Sequence, residues 1–176
     1  KAFKIGIGPV SWDACATKDP PKGGKTAYAV KFDVEGKWAA LSACAIEEDK
    51  PPHVELIEIR PMPDSLAWLA QFIAKRSNEA SSIVIDGRAY SGALNTELIN
   101  LGVPQRYITL PNSQDICTAA QMLVTKTGEH SITHFAQPDL DRCVKGCSKR
   151  TIGHDGGWGF GDGSAPGYPV ESIALA

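Results

Sequence analysis

The sequence lacks both a long hydrophobic run and an excess of charge of either sign. No apolar stretch approaches the ~20 residues that a transmembrane helix requires, and the formal net charge is −2. The chain also lacks the charged, apolar and small-residue leader of a secreted protein. A membrane-spanning protein, a secreted protein and a uniformly basic protein are therefore not expected, although a local basic patch is compatible with this charge.

The five cysteines form no recognisable pattern. Their number is odd and their spacing is scattered, which is not typical of a disulfide framework. Cys143 and Cys147 are four residues apart in a predicted helix, but no second Cys or His pair at zinc-finger spacing accompanies them. His130, His134 and His154 are also too scattered for a zinc site. We therefore expect structural thiols in a reducing compartment and a structural role for His134.

The length of 176 residues and the hydrophobic content of 43% predict one globular domain with its own core. The first third of the chain alternates apolar and polar residues, which is typical of strands, and Glu35-Gly36 predicts a hairpin turn. A first strand over residues 3–7 is predicted to resume after Pro9 over residues 10–15. Further strands are predicted over residues 26–34, 37–46 and 53–59.

After residue 60 the pattern changes to helical periodicity interrupted by short apolar runs. Antiparallel strands followed by alternating helices and strands predict an α/β fold, a mixed sheet with helices on both faces in the ribonuclease H-like order. The predicted helices cover residues 64–76 (capped by Asp64), 93–100, 113–125, 138–149 and the segment from Tyr168, and the intervening strands cover residues 82–85, 106–110 and 131–134.

Asp86 is the strongest candidate for a functional residue. It follows the apolar run Ile83-Val84-Ile85 directly, and Gly87 behind it allows a close turn. Ligands of open α/β sheets gather outside the carboxyl ends of the strands, where such a carboxylate is placed. We therefore predict that Asp86 is a metal ligand, and the alternative is an aspartate that only caps the turn.

A ribonuclease H-like nuclease needs several carboxylates around two divalent ions about 3.5–4 Å apart. Asp13, at the end of the first predicted strand segment, is expected beside the Asp86 strand and is the second predicted ligand. The third should come from near the start of the final helix, where Asp162 is predicted and Asp155 and Glu171 are further candidates. Oxygen ligands predict Mg²⁺ or Mn²⁺ in a two-metal site.

Basic residues cluster between residues 142 and 150 despite the acidic total. Arg142, Lys145, Lys149 and Arg150 have near-helical spacing. Several of them would share a face that is able to contact phosphates. We predict Lys145, Lys149 and Arg150 as DNA-binding residues, with a merely solvated helix face as the alternative.

The segment Gly23-Gly24-Lys25-Thr26 is similar to the end of a phosphate-binding loop. The glycine that such a loop requires five residues before Gly24 is replaced by Asp19. A strand is predicted after the segment instead of a helix, so the helix-terminal N–H groups that hold phosphate would be missing. The segment is therefore not predicted to bind a nucleotide.

One string and several weaker segments of the sequence have counterparts, in the same order, in one protein family. The string runs from Ser82 to Leu94, with Asp86 inside it. The weaker segments extend over most of the chain and are His53-Val-Glu-Leu-Ile-Glu, Trp68-Leu, Thr133-His-Phe-Ala-Gln-Pro-Asp-Leu-Asp-Arg, Gly157-Trp-Gly-Phe and Tyr168-Pro-Val-Glu-Ser-Ile-Ala-Leu-Ala. In this order they resemble the nuclease domain of phage large terminases, and the string around Asp86 looks like the second acidic motif of that family.

The resemblance implies a metal-dependent endonuclease that cuts concatemeric viral double-stranded DNA when a genome is packaged. It also implies a packaging ATPase on the N-terminal side, so that residues 1–176 would be one nuclease domain of a longer protein. The implied partners are double-stranded DNA, a portal protein and a small terminase subunit. The implied location is the cytoplasm of the host of a phage.

The sequence departs from the family at two acidic positions. Pro9 stands where the first metal-binding aspartate is expected, which leaves Asp13 as the second, accessory acid, and Pro166 stands at the last acidic position. Either Asp13 and a tail acid substitute from shifted positions, or the domain is a silent module that binds DNA or docks on the packaging machinery. A third alternative is another ribonuclease H-like nuclease, of the resolvase or transposase type.

Overall fold

The computed structural model describes residues 6–62 and 65–176. Its centre is a six-stranded mixed sheet with the strand order β5-β4-β1-β2-β3-β6, in which β1, β2 and β3 are antiparallel and the pairs β1–β4, β4–β5 and β3–β6 are parallel. A separate hairpin pairs β7 with β8. The strands are β1 Lys25–Phe32, β2 Trp38–Ile46, β3 His53–Pro61, β4 Ala80–Asp86, β5 Ile108–Thr109, β6 Thr133–His134, β7 Ser148–Ile152 and β8 Gly157–Gly161.

Helices cover both faces of the large sheet, as predicted. One face packs against α2 and α3, which supply Leu69, Ile73, Leu94 and Leu98 to a core with Phe32. The other face packs against α1, α4, α5 and α6. The helices are α1 Pro9–Ala14, α2 Ala67–Arg76, α3 Ser91–Asn100, α4 Ser113–Gly128, α5 Pro138–Gly146 and α6 Tyr168–Leu175.

The beginning of the chain differs from its prediction. The strand predicted over residues 3–7 lies largely outside the described residues, as does the Asp64 cap. The continuation predicted over residues 10–15 is wrong, because Pro9–Ala14 is helical. Proline at the first helical position has the dihedral angle that a helix needs and loses no hydrogen bond there. The strand beside β4 is therefore β1 and not the Asp13 segment.

The segment after α5 also differs from its prediction. The helix ends at Gly146 instead of about Lys149, and Ser148–Ile152 is a strand that pairs with Gly157–Gly161. Gly153 and Gly156 in the connecting turn both have positive φ, a conformation that glycine adopts without strain. The tail between residues 148 and 161 thus forms a hairpin.

All five cysteines are free thiols. Burial raises the pKa of the Cys147 thiol to about 12 and also raises that of Cys143. A thiol that holds its proton is a poor metal ligand, so both cysteines serve as core residues, as predicted. Among the helices of residues 6–62 and 65–176, none has the length and apolar composition needed to cross a bilayer.

Candidate functional site

Asp86 is the last residue of β4, at the carboxyl edge of the sheet where the sequence places it. Gly87 behind it has a φ of +121°, and a Cβ there would lie 2.6 Å from the Cβ of Phe32. Only glycine therefore allows the chain to turn so close to β1. The register pairs Asp86 with Lys31 of the parallel strand β1, and Lys31 Nζ forms an ion pair with Asp86 Oδ2.

Lys31 also contacts a second carboxylate. Its Nζ lies 2.9 Å from Oε2 of Glu171, which belongs to the first turn of α6 and is only 2% exposed. This contact is an ion pair without hydrogen-bond geometry, and Glu171 Oε2 has no hydrogen-bond partner among the residues that the structure describes. The other oxygen, Oε1, accepts hydrogen bonds from Arg150 Nη2 at 2.8 Å and from the Phe160 amide at 3.0 Å.

Small residues allow α6 to bring Glu171 so close to the sheet. Ser172 Oγ and Ser42 Oγ of β2 are 2.6 Å apart in a buried hydrogen bond. Ala29 of β1 is also completely buried. On the other side of Glu171, a Cβ on Gly159 would lie 2.5 Å from Oε1. Larger side chains at these positions would push the carboxylate away from Lys31.

Asp86, Lys31, Glu171 and Arg150 form a connected group that we call the Lys31 cluster. Its two acids and two bases alternate, so the formal charges cancel. The middle of the cluster is buried, whereas the side chain of Asp86 is 16% exposed and that of Arg150 is 38% exposed. Pairing makes this burial tolerable, because an unpaired charge in the interior is costly.

Asp13 forms an ion pair with a different lysine, Lys145. It is at the end of α1, its side chain is 58% exposed, and Lys145 Nζ lies 3.1 Å from both of its carboxylate oxygens. The prediction that Asp13 closes a strand beside the Asp86 strand is therefore wrong, since α1 is a helix. Its role as a metal ligand stays a prediction.

Asp162 also has a local structural contact. Its Oδ1 accepts a hydrogen bond from the Gly167 amide at 3.0 Å, which fixes the loop that leads into α6. Asp155 is exposed in the turn between β7 and β8. Of the three tail acids considered, Glu171 is the one that meets Asp86 through Lys31. The sequence did not distinguish Glu171 from the other two, and Asp162 was the predicted ligand, because the burial of the first turn of α6 becomes visible only in the folded domain.

The donor set does not fit two divalent ions in this arrangement. Within residues 6–62 and 65–176, no group of three or more His, Cys, Asp or Glu side chains is arranged to hold a metal. The two carboxylates that do converge, Asp86 and Glu171, already share the ammonium of Lys31. Adding two divalent cations to a cluster of zero formal charge would leave a large positive excess beside Lys31 and Arg150.

The predicted basic helix face is divided between two elements. Lys145 belongs to α5, whereas Lys149 and Arg150 belong to β7. Lys149 is exposed and its Nζ lies 4.2 Å from the ring centroid of Trp158. Arg150 forms an ion pair with Glu171, which partly neutralises its charge within the domain. DNA binding by these residues stays a prediction.

No protein-family model matches the sequence, and no curated protein matches it. Solved structures do match over nearly the whole chain. The large terminase of bacteriophage HK97 is similar with a TM-score of 0.78 at 11% sequence identity, over 99% of this chain and 43% of that one. The chain therefore spans less than half of the HK97 protein.

Two isolated nuclease domains match over most of both chains. The large terminase nuclease of thermophilic phage G20c has a TM-score of 0.64 at 13% identity, over 94% of each chain. The large terminase nuclease domain of bacteriophage SPP1, solved with bound Mn, has a TM-score of 0.58 at 14% identity, over 88% of this chain and 86% of that one. The chain has the α/β, ribonuclease H-like fold of phage large terminase nuclease domains.

Proposed function

We propose that this chain is the nuclease-fold domain of a phage large terminase and that it engages double-stranded DNA while a viral genome is packaged. Its similarity to terminase nuclease domains over nearly their whole length supports this assignment. A packaging ATPase on the same protein, a portal protein and a small terminase subunit are the partners that the assignment implies. The cytoplasm of the phage host is the implied location.

A surface near α5 and the hairpin supports contact with DNA. Lys145 and Lys149 are both exposed, and Lys149 is not ion-paired with any residue of the described part of the chain. Cations of this kind bind phosphates and release condensed counterions, a contribution that does not depend on sequence. We therefore expect binding with little sequence preference.

Replacement of both lysines should weaken DNA binding. In Lys145→Gln/Lys149→Gln, the slope of log affinity against log salt concentration should fall by about 2, one for each phosphate contact. Fluorescence anisotropy of a labelled duplex over a series of NaCl concentrations measures both affinity and slope. Lys37→Gln, which removes an exposed lysine of the β1–β2 turn, is the matched control, and an equal loss in that variant would contradict the assignment of this surface.

Two candidates remain for what the domain does to bound DNA. The first is hydrolysis of concatemeric DNA with Mg²⁺ or Mn²⁺, supported by neighbours whose structures were solved with magnesium, cobalt, manganese or zinc. Asp86 would be a ligand and catalytic residue. Asp13 and Asp162 would have to leave Lys145 and the Gly167 amide to join it.

The second candidate, binding without cleavage, is the one that the geometry supports better. The observation that carries it is Lys31, whose buried ammonium lies between Asp86 and Glu171. A cluster with zero formal charge attracts divalent cations far less than bare carboxylates do. The domain would then hold DNA or dock on the packaging machinery without cutting.

Wild-type protein is expected to leave supercoiled plasmid intact over a range of Mg²⁺ and Mn²⁺ concentrations at which it binds the labelled duplex. Gel electrophoresis after long incubation gives the nicked and linear fractions. Asp86→Ala is the control, because it separates cleavage at this site from a contaminating nuclease. Cutting by the wild type that disappears in Asp86→Ala would establish the endonuclease and refute the silent module.

A further inference from the structure

Lys31 occupies the point between two carboxylates that a bridging metal ion would need. Its Nζ contacts Oδ2 of Asp86 and lies 2.9 Å from Oε2 of Glu171. An ammonium group and a divalent cation both satisfy carboxylate oxygens, but the ammonium is tied to the backbone and cannot diffuse away. Lys31 lies opposite Asp86 in the register of two parallel strands, so its position is set by the sheet itself.

We infer that Lys31 is a built-in cation that takes the place of a divalent metal between Asp86 and Glu171, so that these two carboxylates lie close together without a metal ion. The inference rests on the proposed assignment to a terminase nuclease domain. Two facing carboxylates repel each other unless a cation lies between them. Arg150 and the Phe160 amide occupy Glu171 Oε1, which leaves Oε2 facing Lys31.

Removal of the ammonium should therefore create a metal site. Lys31→Ala deletes the side chain and leaves Asp86 Oδ2 and Glu171 Oε2 around the space that it filled. The formal charge of the cluster changes from zero to −1, with Arg150 as the remaining cation. Two carboxylate oxygens and water are a suitable donor set for a single Mn²⁺ ion.

The test is a titration of the folded protein with Mn²⁺, followed by electron paramagnetic resonance, which counts bound ions without any assay of activity. Lys31→Ala is expected to bind one Mn²⁺ at least tenfold more tightly than the wild type does. Its melting temperature should rise with Mn²⁺, whereas that of the wild type should not change. Lys145→Ala is the matched control, since it removes the exposed lysine that forms an ion pair with Asp13 and should create no Mn²⁺ site.

The site must also depend on the carboxylates, so Lys31→Ala/Asp86→Asn should lose the gained binding. If Lys31→Ala unfolds without metal, its refolding by Mn²⁺ supports the inference, and failure to refold overturns it. Lys31→Gln, a milder change, serves as a second variant with the same expected direction. Equal Mn²⁺ affinity of wild type and Lys31→Ala would overturn the inference. Failure of the wild type to bind duplex DNA would overturn only the proposed function.

Discussion

Glu171→Ala should lower the free energy of unfolding by about 3–5 kcal/mol, the range for removing one partner of a buried ion pair. Glu171 is 2% exposed and interacts with Lys31, Arg150 and the Phe160 amide. Its removal leaves Lys31 with one carboxylate instead of two and leaves the Phe160 amide without its acceptor. Urea denaturation followed by circular dichroism gives the midpoint and the slope, and the loss should appear in the midpoint.

Asp13→Ala is the natural comparison because it also removes one acid of a lysine pair. Both side chains of that pair are exposed by more than 40%, and exposed pairs contribute about 0–1 kcal/mol. A similar loss of stability in the two variants would mean that burial does not strengthen the Lys31 cluster. A loss below about 1 kcal/mol in Glu171→Ala would mean that the Lys31 cluster stabilises the fold no more than an exposed ion pair does.

Trp12→Ala is the second substitution with a large expected effect, a loss of about 3–5 kcal/mol. Trp12 belongs to α1 and is completely buried, and its ring stacks on His134 with the ring centroids 3.7 Å apart. Its Nε1 donates a hydrogen bond to Asp141 Oδ1 at 2.8 Å. The substitution therefore creates a cavity and also removes the partner of a carboxylate in α5.

The same denaturation measurement on Trp38→Ala supplies the control, since Trp38 is 42% exposed at the start of β2. A smaller loss is expected there because a large part of Trp38 is in contact with water and its removal leaves no enclosed cavity. Trp12→Ala should also release α1 from the sheet, so the Asp13–Lys145 contact should be lost with it. Equal stability of wild type and Trp12→Ala would show that α1 contributes nothing to the core.

The local patterns of the sequence were sufficient for most of the fold. Alternation over residues 26–46 and the Glu35-Gly36 turn predicted the β1–β2 hairpin, and the apolar run before Asp86 predicted β4 at its carboxyl edge. Periodicity located α2, α3 and α4 to within a few residues. These signals are local because each reports a buried face or a turn in a single element.

The Lys31 cluster could not be predicted in the same way. In the alternating β1 pattern, Lys31 has the spacing of a solvent-facing residue, and only α6, packed on the same face, makes it a buried cation. Its partners are 55 and 140 residues away along the chain. The error at α1 had a different cause: six residues around Trp12 are too few to separate an alternating period from a helical one, and Pro9 decides the outcome.

Within residues 6–62 and 65–176, the β7–β8 hairpin forms a sheet of two strands. A hairpin of this size is marginal on its own, so its attachment to the domain depends on contacts such as the one between the Phe160 amide and Glu171. Protection of that amide proton from exchange in D₂O consequently measures how often the hairpin lifts away from α6. The exchange rate at this one amide therefore gives the equilibrium constant for separation of the hairpin from α6, and it does so in the wild-type protein without any substitution.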